Sequence, residues 1–123
     1  MAAPTFDDVR RICLSLPEAE EVFVEAWGHP TFRVRNKMFA SMGGEDGERS
    51  CTFKTESEER EALDATGEPW FVPAYVGRYG WRGMHLAHPA AKKVSVDELA
   101  ELLTTSWRLT APKRLVKAFD DEG

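Results

Sequence analysis

Arginine and aromatic residues alternate in one short stretch of the chain. Residues 78–82 read Arg-Tyr-Gly-Trp-Arg, and Arg33 and Arg35 alternate with apolar residues on a predicted strand. Guanidinium groups contact phosphate oxygens, and exposed rings stack on bases or sugars. This pattern favours a surface that binds nucleic acid through phosphate contacts supported by stacking. The candidate residues are Arg33, Arg35, Lys37, Arg78, Tyr79, Trp81, Arg82 and Lys113.

The charge distribution along the chain is compatible with such a surface, although the whole protein is acidic. The formal net charge is −5 and the pI is near 5.2, which argues against a protein that coats nucleic acid through bulk charge. Segment 30–42 carries three basic residues, segment 69–95 carries four, and neither contains an acid. If the two segments meet in the fold, they form one basic face. Alternatively, these bases are solvated strand edges that discourage pairing with other chains.

Tryptophan and histidine residues suggest a second kind of site. Trp27, His29, Trp70 and Trp81 could line a pocket for a small molecule or a partner protein, because binding pockets combine apolar walls with a few polar groups. The competing interpretation buries the tryptophans, with neighbouring arginines covering Trp81. Trp107 follows the apolar stripe of a predicted helix, so we test it as a core residue.

Residue patterns typical of catalysis or metal binding do not occur in the sequence. His85 and His88 are three positions apart, but no carboxylate or cysteine beside them completes a metal site. Cys13 and Cys51 lie on predicted apolar faces, where a thiol is inert. The chain has no nucleophile elbow, zinc-protease or phosphate-loop motif. We therefore expect a protein that is not an enzyme, with no catalytic residue, metal or cofactor.

Helices at both ends of the chain and strands between them must position these residues. Thr5 and Asp8 favour a helix start, and Pro17 ends that helix. Period-two alternation predicts an α+β fold: an antiparallel sheet of about five strands whose apolar face packs against the N- and C-terminal helices. The predicted strands are 21–26, 31–35, 37–42, 49–55 and 81–86, and the predicted helices are 5–16, 57–63, 95–107 and 113–119.

The same alternation assigns side chains to the two faces of each strand. On strand 37–42 it predicts Met38, Ala40 and Met42 on one face and Phe39 on the other. Three further segments are predicted as turns or connectors, namely 43–47, 70–73 and 77–80.

Length and composition limit the possible classes of protein. The 123 residues have the length of one domain, 1–123, whose end at 120–123 is expected to fray. The apolar runs are far shorter than the about 20 residues that cross a bilayer, and no charged-then-apolar leader opens the sequence. We expect a cytoplasmic protein without membrane contacts, present as a monomer or weak dimer.

Six short blocks, in order over nearly the whole chain, resemble the MmcQ/YjbR family. They are residues 13–17, 27–30, 32–34, 37–40, 76–81 and 106–115. The resemblance implies a sandwich of an antiparallel sheet with helices on one face, similar to frataxin/CyaY and to a double-wing DNA-binding domain. It implies DNA binding and brings no catalytic residue. The frataxin likeness also raises iron binding, but the first helix has only Asp7 and Asp8 as acids, so we expect no iron site.

Overall fold

The computed structural model describes residues 2–44 and 49–122, and within these ranges it contains four α-helices and six β-strands. The helices are α1 (Phe6–Ser15), α2 (Ser57–Thr66), α3 (Val96–Thr110) and α4 (Lys113–Glu122). The strands are β1 (Ala19–Val24), β2 (His29–Val34), β3 (Lys37–Gly43), β4 (Ser50–Lys54), β5 (Trp70–Phe71) and β6 (Trp81–His85). The α+β class is confirmed. Residues 45–47 of the predicted turn at 43–47 lie outside the described residues.

Helix α1 begins where the sequence predicts. Asp8 N–H donates to Thr5 Oγ1 at 3.1 Å, and Thr5 N–H donates to Asp8 Oδ2 at 2.9 Å. This reciprocal capping box satisfies two backbone donors that the first turn leaves free. Val9, Ile12 and Cys13 are buried on one side of the helix, so the predicted apolar stripe faces the core.

One antiparallel sheet joins the six strands in the order β1-β2-β3-β4-β6-β5. Strands β1 and β5 therefore form its edges. The sequence predicts a connector at 70–73, whereas Trp70 and Phe71 pair with Met84 and Gly83. A strand of two residues is too short to show period-two alternation, so the pattern could not reveal it.

A β-bulge between β2 and β3 decides which side chains of β3 enter the core. Phe32 opposes Ala40 while Arg33 opposes Met38, which leaves Phe39 as the extra residue. Phe39 and Ala40 are both fully buried in the core cluster. The alternation predicted for this strand is therefore wrong at Met38 and Phe39, because the inserted residue shifts the side chains before it by one position.

Helix α3 is fixed across β3 and β4 by polar as well as apolar contacts. Ser106 Oγ donates to the Phe39 carbonyl, and Lys54 N–H donates to Ser106 Oγ at 2.8 Å. Trp107 is fully buried, and its Nε1–H donates to the Pro17 carbonyl at 3.0 Å. Trp107 is therefore a core residue that also links α3 to the end of α1.

Helices α2 and α4 pack on the same side of the sheet as α1 and α3. Leu63 of α2 belongs to the core cluster, and Leu115, Val116 and Phe119 of α4 pack against it. The expected arrangement, with the N- and C-terminal helices on one face, is confirmed. Within the two described ranges, no helix combines the length and apolar character needed to cross a membrane.

Helix α4 extends through Glu122. The fraying expected for residues 120–123 stays a prediction. The Arg108 guanidinium donates to the Asp120 carboxylate at 3.0 Å, so a contact from α3 holds this last turn. Gly123 lies outside the described residues.

Replacing Trp107 with alanine tests the packing of α3. We expect the free energy of unfolding to fall by about 3–5 kcal/mol, because the substitution leaves a large cavity in the core. Denaturant melts measure this difference. Leu109→Ala is the control, since Leu109 lies on the same helix but is exposed, and should change the value by less than about 0.5 kcal/mol. A loss below about 1 kcal/mol for Trp107→Ala would contradict the burial of this ring.

Candidate nucleic-acid interface

We call the sheet face opposite the helices the open face. Residues that oppose each other in antiparallel strands point to the same side of the sheet, so the register assigns each side chain to a face. Across the open face runs a central row of Val22, Thr31, Ser41, Thr52, Gly83 and Phe71. On one side of it lies a histidine row of Val24, His29, Gly43, Ser50 and His85. On the other side lies a cation row of Glu20, Arg33, Met38, Lys54 and Trp81.

The central row projects less from the sheet than the rows beside it, because its middle residues have short side chains whose hydroxyls form hydrogen bonds within the sheet. Thr31 Oγ1 donates to the Val22 carbonyl at 2.8 Å. The hydroxyls of Ser41 and Thr52 lie 2.6 Å apart, within hydrogen-bond distance. Thr31 is fully buried and Ser41 is only 9% exposed, so the middle of the open face is a low floor that longer neighbouring side chains, among them Arg33, partly cover.

A pair of rings stands at each end of the histidine row. At the β5–β6 end, Phe71 and His85 stack with ring centroids 4.1 Å apart. The Phe71 ring also covers Gly83, where a Cβ atom would lie 2.3 Å from a ring carbon. At the β1–β2 end, Trp27 and His29 lie 5.8 Å apart at a tilt of 31°. Flat apolar surfaces thus border the floor on both sides.

Two cations occupy the row opposite the histidines. Arg33 is half-buried, and its Nε donates to Thr31 Oγ1 at 3.2 Å, so its head group leans toward the central row. Lys54 is half-buried two strands away. Glu20 opposes Arg33 on β1, and it is the one acid among the side chains that the strand register places on the open face.

Arg82 lies on the helix side of the sheet, which corrects its assignment to the DNA-binding surface. It opposes Phe53, a core residue, and is only 8% exposed. Its guanidinium donates to both carboxylate oxygens of Asp64 at 2.7 and 2.9 Å and also to the Gly77 carbonyl. Neighbouring residues of a strand face opposite sides, so Arg82 cannot share a face with Trp81. The single basic face expected to join Arg33 and Arg82 is therefore not formed.

Arg35 lies in the turn between β2 and β3, and Lys37 is the first residue of β3, at the end of the sheet. Arg35 and Asn36 both have positive φ, 50° and 66°, which closes a two-residue hairpin turn. The Arg35 guanidinium donates to both oxygens of Glu18 at 2.5 and 3.0 Å, which holds the pKa of Glu18 below its ordinary range. Lys37 is exposed beside this pair. Its partner in the register is Val34, a core residue, so Lys37 is not on the open face.

The remaining predicted DNA-binding residues are scattered. Arg78 and Tyr79 are exposed in a short 3₁₀ turn before β6, with the Arg78 guanidinium 4.9 Å from the Tyr79 ring. Trp81 is on the open face by register, but only 5% of it is exposed, so it cannot stack on a base without a rearrangement. Lys113 is exposed at the start of α4, on the helix side.

The four residues of the predicted pocket do not meet. Trp70 is buried in the core with its ring edge-on to Phe53 at 6.4 Å, on the helix side of the sheet. Trp81 and His29 are both on the open face, but they are far apart. Three strand spacings separate them across the sheet, about 14 Å, and four residues separate them along the strands, about 13 Å. Only Trp27 and His29 are neighbours. A cavity of about 380 Å³ lies elsewhere, lined by Arg35, Pro112, Arg114, Leu115 and Ala118.

Both cysteines are buried. Burial raises the pKa of both the Cys13 and the Cys51 thiol, so each stays protonated at neutral pH. His88 lies near Glu68 at 2.5 Å, away from His85. Among residues 2–44 and 49–122, no three His, Cys, Asp or Glu side chains cluster in a way that could hold a metal.

Sequence reasoning missed three residues of the open face. Lys54 ends a strand that was predicted correctly, and its alternation with Phe53 could have placed it outward. His85 lies two residues beyond Gly83 on β6, so the same alternation could have found it. Phe71 could not be assigned, because the sequence shows no strand at β5.

Comparison with known proteins gives a family and a fold. A family model described as YjbR matches residues 14–109. The crystal structure of Deinococcus radiodurans protein DR2400, a DUF419 domain, is similar to this chain with a TM-score of 0.73 and 25% sequence identity. The similarity covers 87% of this chain and 78% of that one. Comparison with curated proteins gives no match.

The Arg82–Asp64 pair predicts a dependence of stability on pH. The guanidinium lowers the pKa of Asp64 from its ordinary value of 3.8. The ion pair therefore stabilises the folded protein at pH values above 3.8. This stabilisation is lost as the pH falls through the lower pKa that Asp64 has in the folded protein. We expect Asp64→Asn to unfold more easily than the wild type at neutral pH, and the difference to shrink in strong acid.

Denaturant melts over a pH series measure this difference. Glu61→Gln is the matched control, because Glu61 is an exposed carboxylate on the same helix. A gap between Asp64→Asn and the wild type that stays constant down to about pH 2 would contradict the role of the charged pair.

Proposed function

This chain belongs to the YjbR family, and we propose that it binds DNA through the open face of its sheet. The observation that carries the proposal is the separation of charge between the two sides of the sheet. The acids of this acidic protein lie mainly on the helices and their connections. On the open face, Arg33 and Lys54 lie across the central row from the ring pairs, and Glu20 is the acid among the register-assigned side chains.

The distribution of ion pairs among the basic residues also supports the open face as the binding surface. Several arginines outside the open face are neutralised by a carboxylate, and these pairs are Arg10–Glu21, Arg35–Glu18, Arg82–Asp64 and Arg108–Asp120. Within the described ranges, neither Arg33 nor Lys54 has a carboxylate at salt-bridge distance. A cation without an internal partner loses no ion pair when it contacts phosphate, and among the side chains that the register places on the open face the cations in this state are Arg33 and Lys54.

The placement of the helices limits the kind of recognition. All four helices pack on the side opposite the open face, so none of them can enter a major groove from that face. The open face can still contact phosphate oxygens and stack on bases, and neither contact requires hydrogen bonds to base edges. The proposal therefore assigns the face to binding with little sequence preference, and it assigns no catalysis.

Titration of labelled DNA at several salt concentrations tests the proposal. We expect binding at low salt that weakens as salt rises, because phosphate contacts release counterions. Arg33→Ala and Lys54→Ala should each weaken binding several-fold and make the log–log salt slope shallower by about 1. Lys113→Ala is the matched control, since Lys113 is an exposed cation on the helix side, and should change neither value.

Two results would contradict the proposal. One is the absence of binding to any DNA at low salt. The other is a loss of affinity in Lys113→Ala as large as that in Arg33→Ala, since binding would then not depend on the open face.

A further inference from the structure

We infer that the DNA bound by the open face is single-stranded and lies across the β-strands, with its bases on the histidine row and its backbone over the central row. This inference rests on the proposed function and names the form of DNA that the surface fits. Its basis is the arrangement of rings, small residues and cations in three parallel rows.

The histidine row has the shape of a shallow trough. Beyond Val24 at its β1 end, the row runs from His29 to His85, and Gly43 and Ser50 lie between the two histidines. His29, Gly43, Ser50 and His85 lie on β2, β3, β4 and β6, which are consecutive in the sheet. Three strand spacings separate the two histidines, a distance of about 14 Å. The small residues between them leave room for flat groups that lie on the sheet.

Each histidine carries a second ring, so both ends of the trough offer a stacking platform. Phe71 lies parallel to His85 at 4.1 Å, with 20° between the ring planes. Trp27 accompanies His29 and is 55% exposed. Unpaired bases stack on such rings whatever their sequence, because every base has a π face. Two platforms about 14 Å apart suit bases at the two ends of a short oligonucleotide.

The central row and the cation row provide for the backbone of that oligonucleotide. The low floor of Thr31, Ser41 and Thr52 lies about 7 Å from the histidine row, two residues along each strand. Arg33 already directs its guanidinium onto this floor, where Nε reaches Thr31 Oγ1 at 3.2 Å. Lys54 extends from the same side, two strands or about 10 Å away. Phosphates above the floor would lie between these cations and the rings.

A duplex would leave most of this arrangement unused. Its bases are paired and stacked on one another, so rings on a protein surface reach them only after unpairing. Proteins that hold duplex DNA through its backbone neutralise many phosphates, whereas this face provides two unpaired cations. The rings therefore contribute binding energy only with unpaired bases. Six strands span about 24 Å, enough for roughly four nucleotides, the low end of known single-strand site sizes.

Binding of an eight-nucleotide oligothymidine and of an eight-base-pair duplex made of G·C pairs, at equal salt, tests the inference. We expect the single strand to bind at least tenfold more tightly. Its salt slope should be about −1.4, as for two phosphate contacts on a single strand. Tighter binding of the duplex would overturn the inference while leaving the proposed function standing. Failure of both DNAs to bind would overturn the proposed function as well.

Intrinsic fluorescence locates the stacked base. Trp70, Trp81 and Trp107 are at most 7% exposed, so quenching by the oligothymidine should come from Trp27. We expect Trp27→Phe to abolish this quenching and to keep part of the affinity, because phenylalanine still offers a ring. Quenching that survives in Trp27→Phe would contradict stacking at this end.

Alanine variants separate stacking from charge. Trp27→Ala and His85→Ala should weaken single-strand binding by roughly 5- to 150-fold, the range measured for one stacked base, and should leave duplex binding unchanged. Arg33→Ala should weaken both. Tyr75→Ala is the control, because Tyr75 is an exposed ring outside the three rows. An equal loss in Tyr75→Ala, or an equal loss of duplex binding in Trp27→Ala, would overturn the inference.

Discussion

The Ser106 hydroxyl joins helix α3 to two strands of the sheet at once, and it holds the bulge that sets the two faces of the sheet. It donates to the carbonyl of Phe39, the extra residue of the bulge, and accepts from the Lys54 N–H of the next strand. A bulged residue leaves the ladder, and its buried backbone groups would cost about 1–3 kcal/mol each without a partner. A serine at this position of the helix supplies that partner, so the bulge is retained and Phe39 is buried.

The bulge in turn sets the two faces of the sheet. Beyond it, Ala40 faces the helices and Ser41 faces outward, in register with Thr31 and Thr52. A strand without the extra residue would reverse the faces on one side of the bulge, because side chains alternate with a period of two. With the extra residue in place, the helices cover a continuous apolar layer, and the opposite face has a low polar floor between two ring pairs and two cations. The buried Ser106 contact and the exposed open face therefore both depend on the bulge.

Much of this fold follows from local sequence patterns, and the parts that do not are set by distant contacts. The capping box at Thr5 and the alternation in β2, β4 and β6 are local signals, and they place most elements correctly. The bulge at Phe39 depends on Ser106, which is 67 residues away in the chain. The sequence pattern assigns Arg82 to the surface, because no local signal shows its contact with Asp64, which lies 18 residues earlier on a helix. Its position next to Trp81 on one strand nevertheless requires that the two side chains face opposite sides of the sheet. The Phe71–His85 pair was missed for a similar reason, since Phe71 reaches His85 only through the edge strand β5. Trp27 and His29 are neighbours, and both were among the residues predicted from the sequence.

The most direct test of the account is to map the bound oligothymidine by NMR on the isotope-labelled protein. The account predicts that the largest shift changes occur at the amides of Thr31, Thr52, Gly83 and His85 and at the Trp27 indole N–H, all on or beside the open face. Amides of α1 and α3 on the other side of the sheet should stay in place. The largest changes at Lys113 and its neighbours in α4, with the open face unaffected, would contradict the claim that this face is the binding surface.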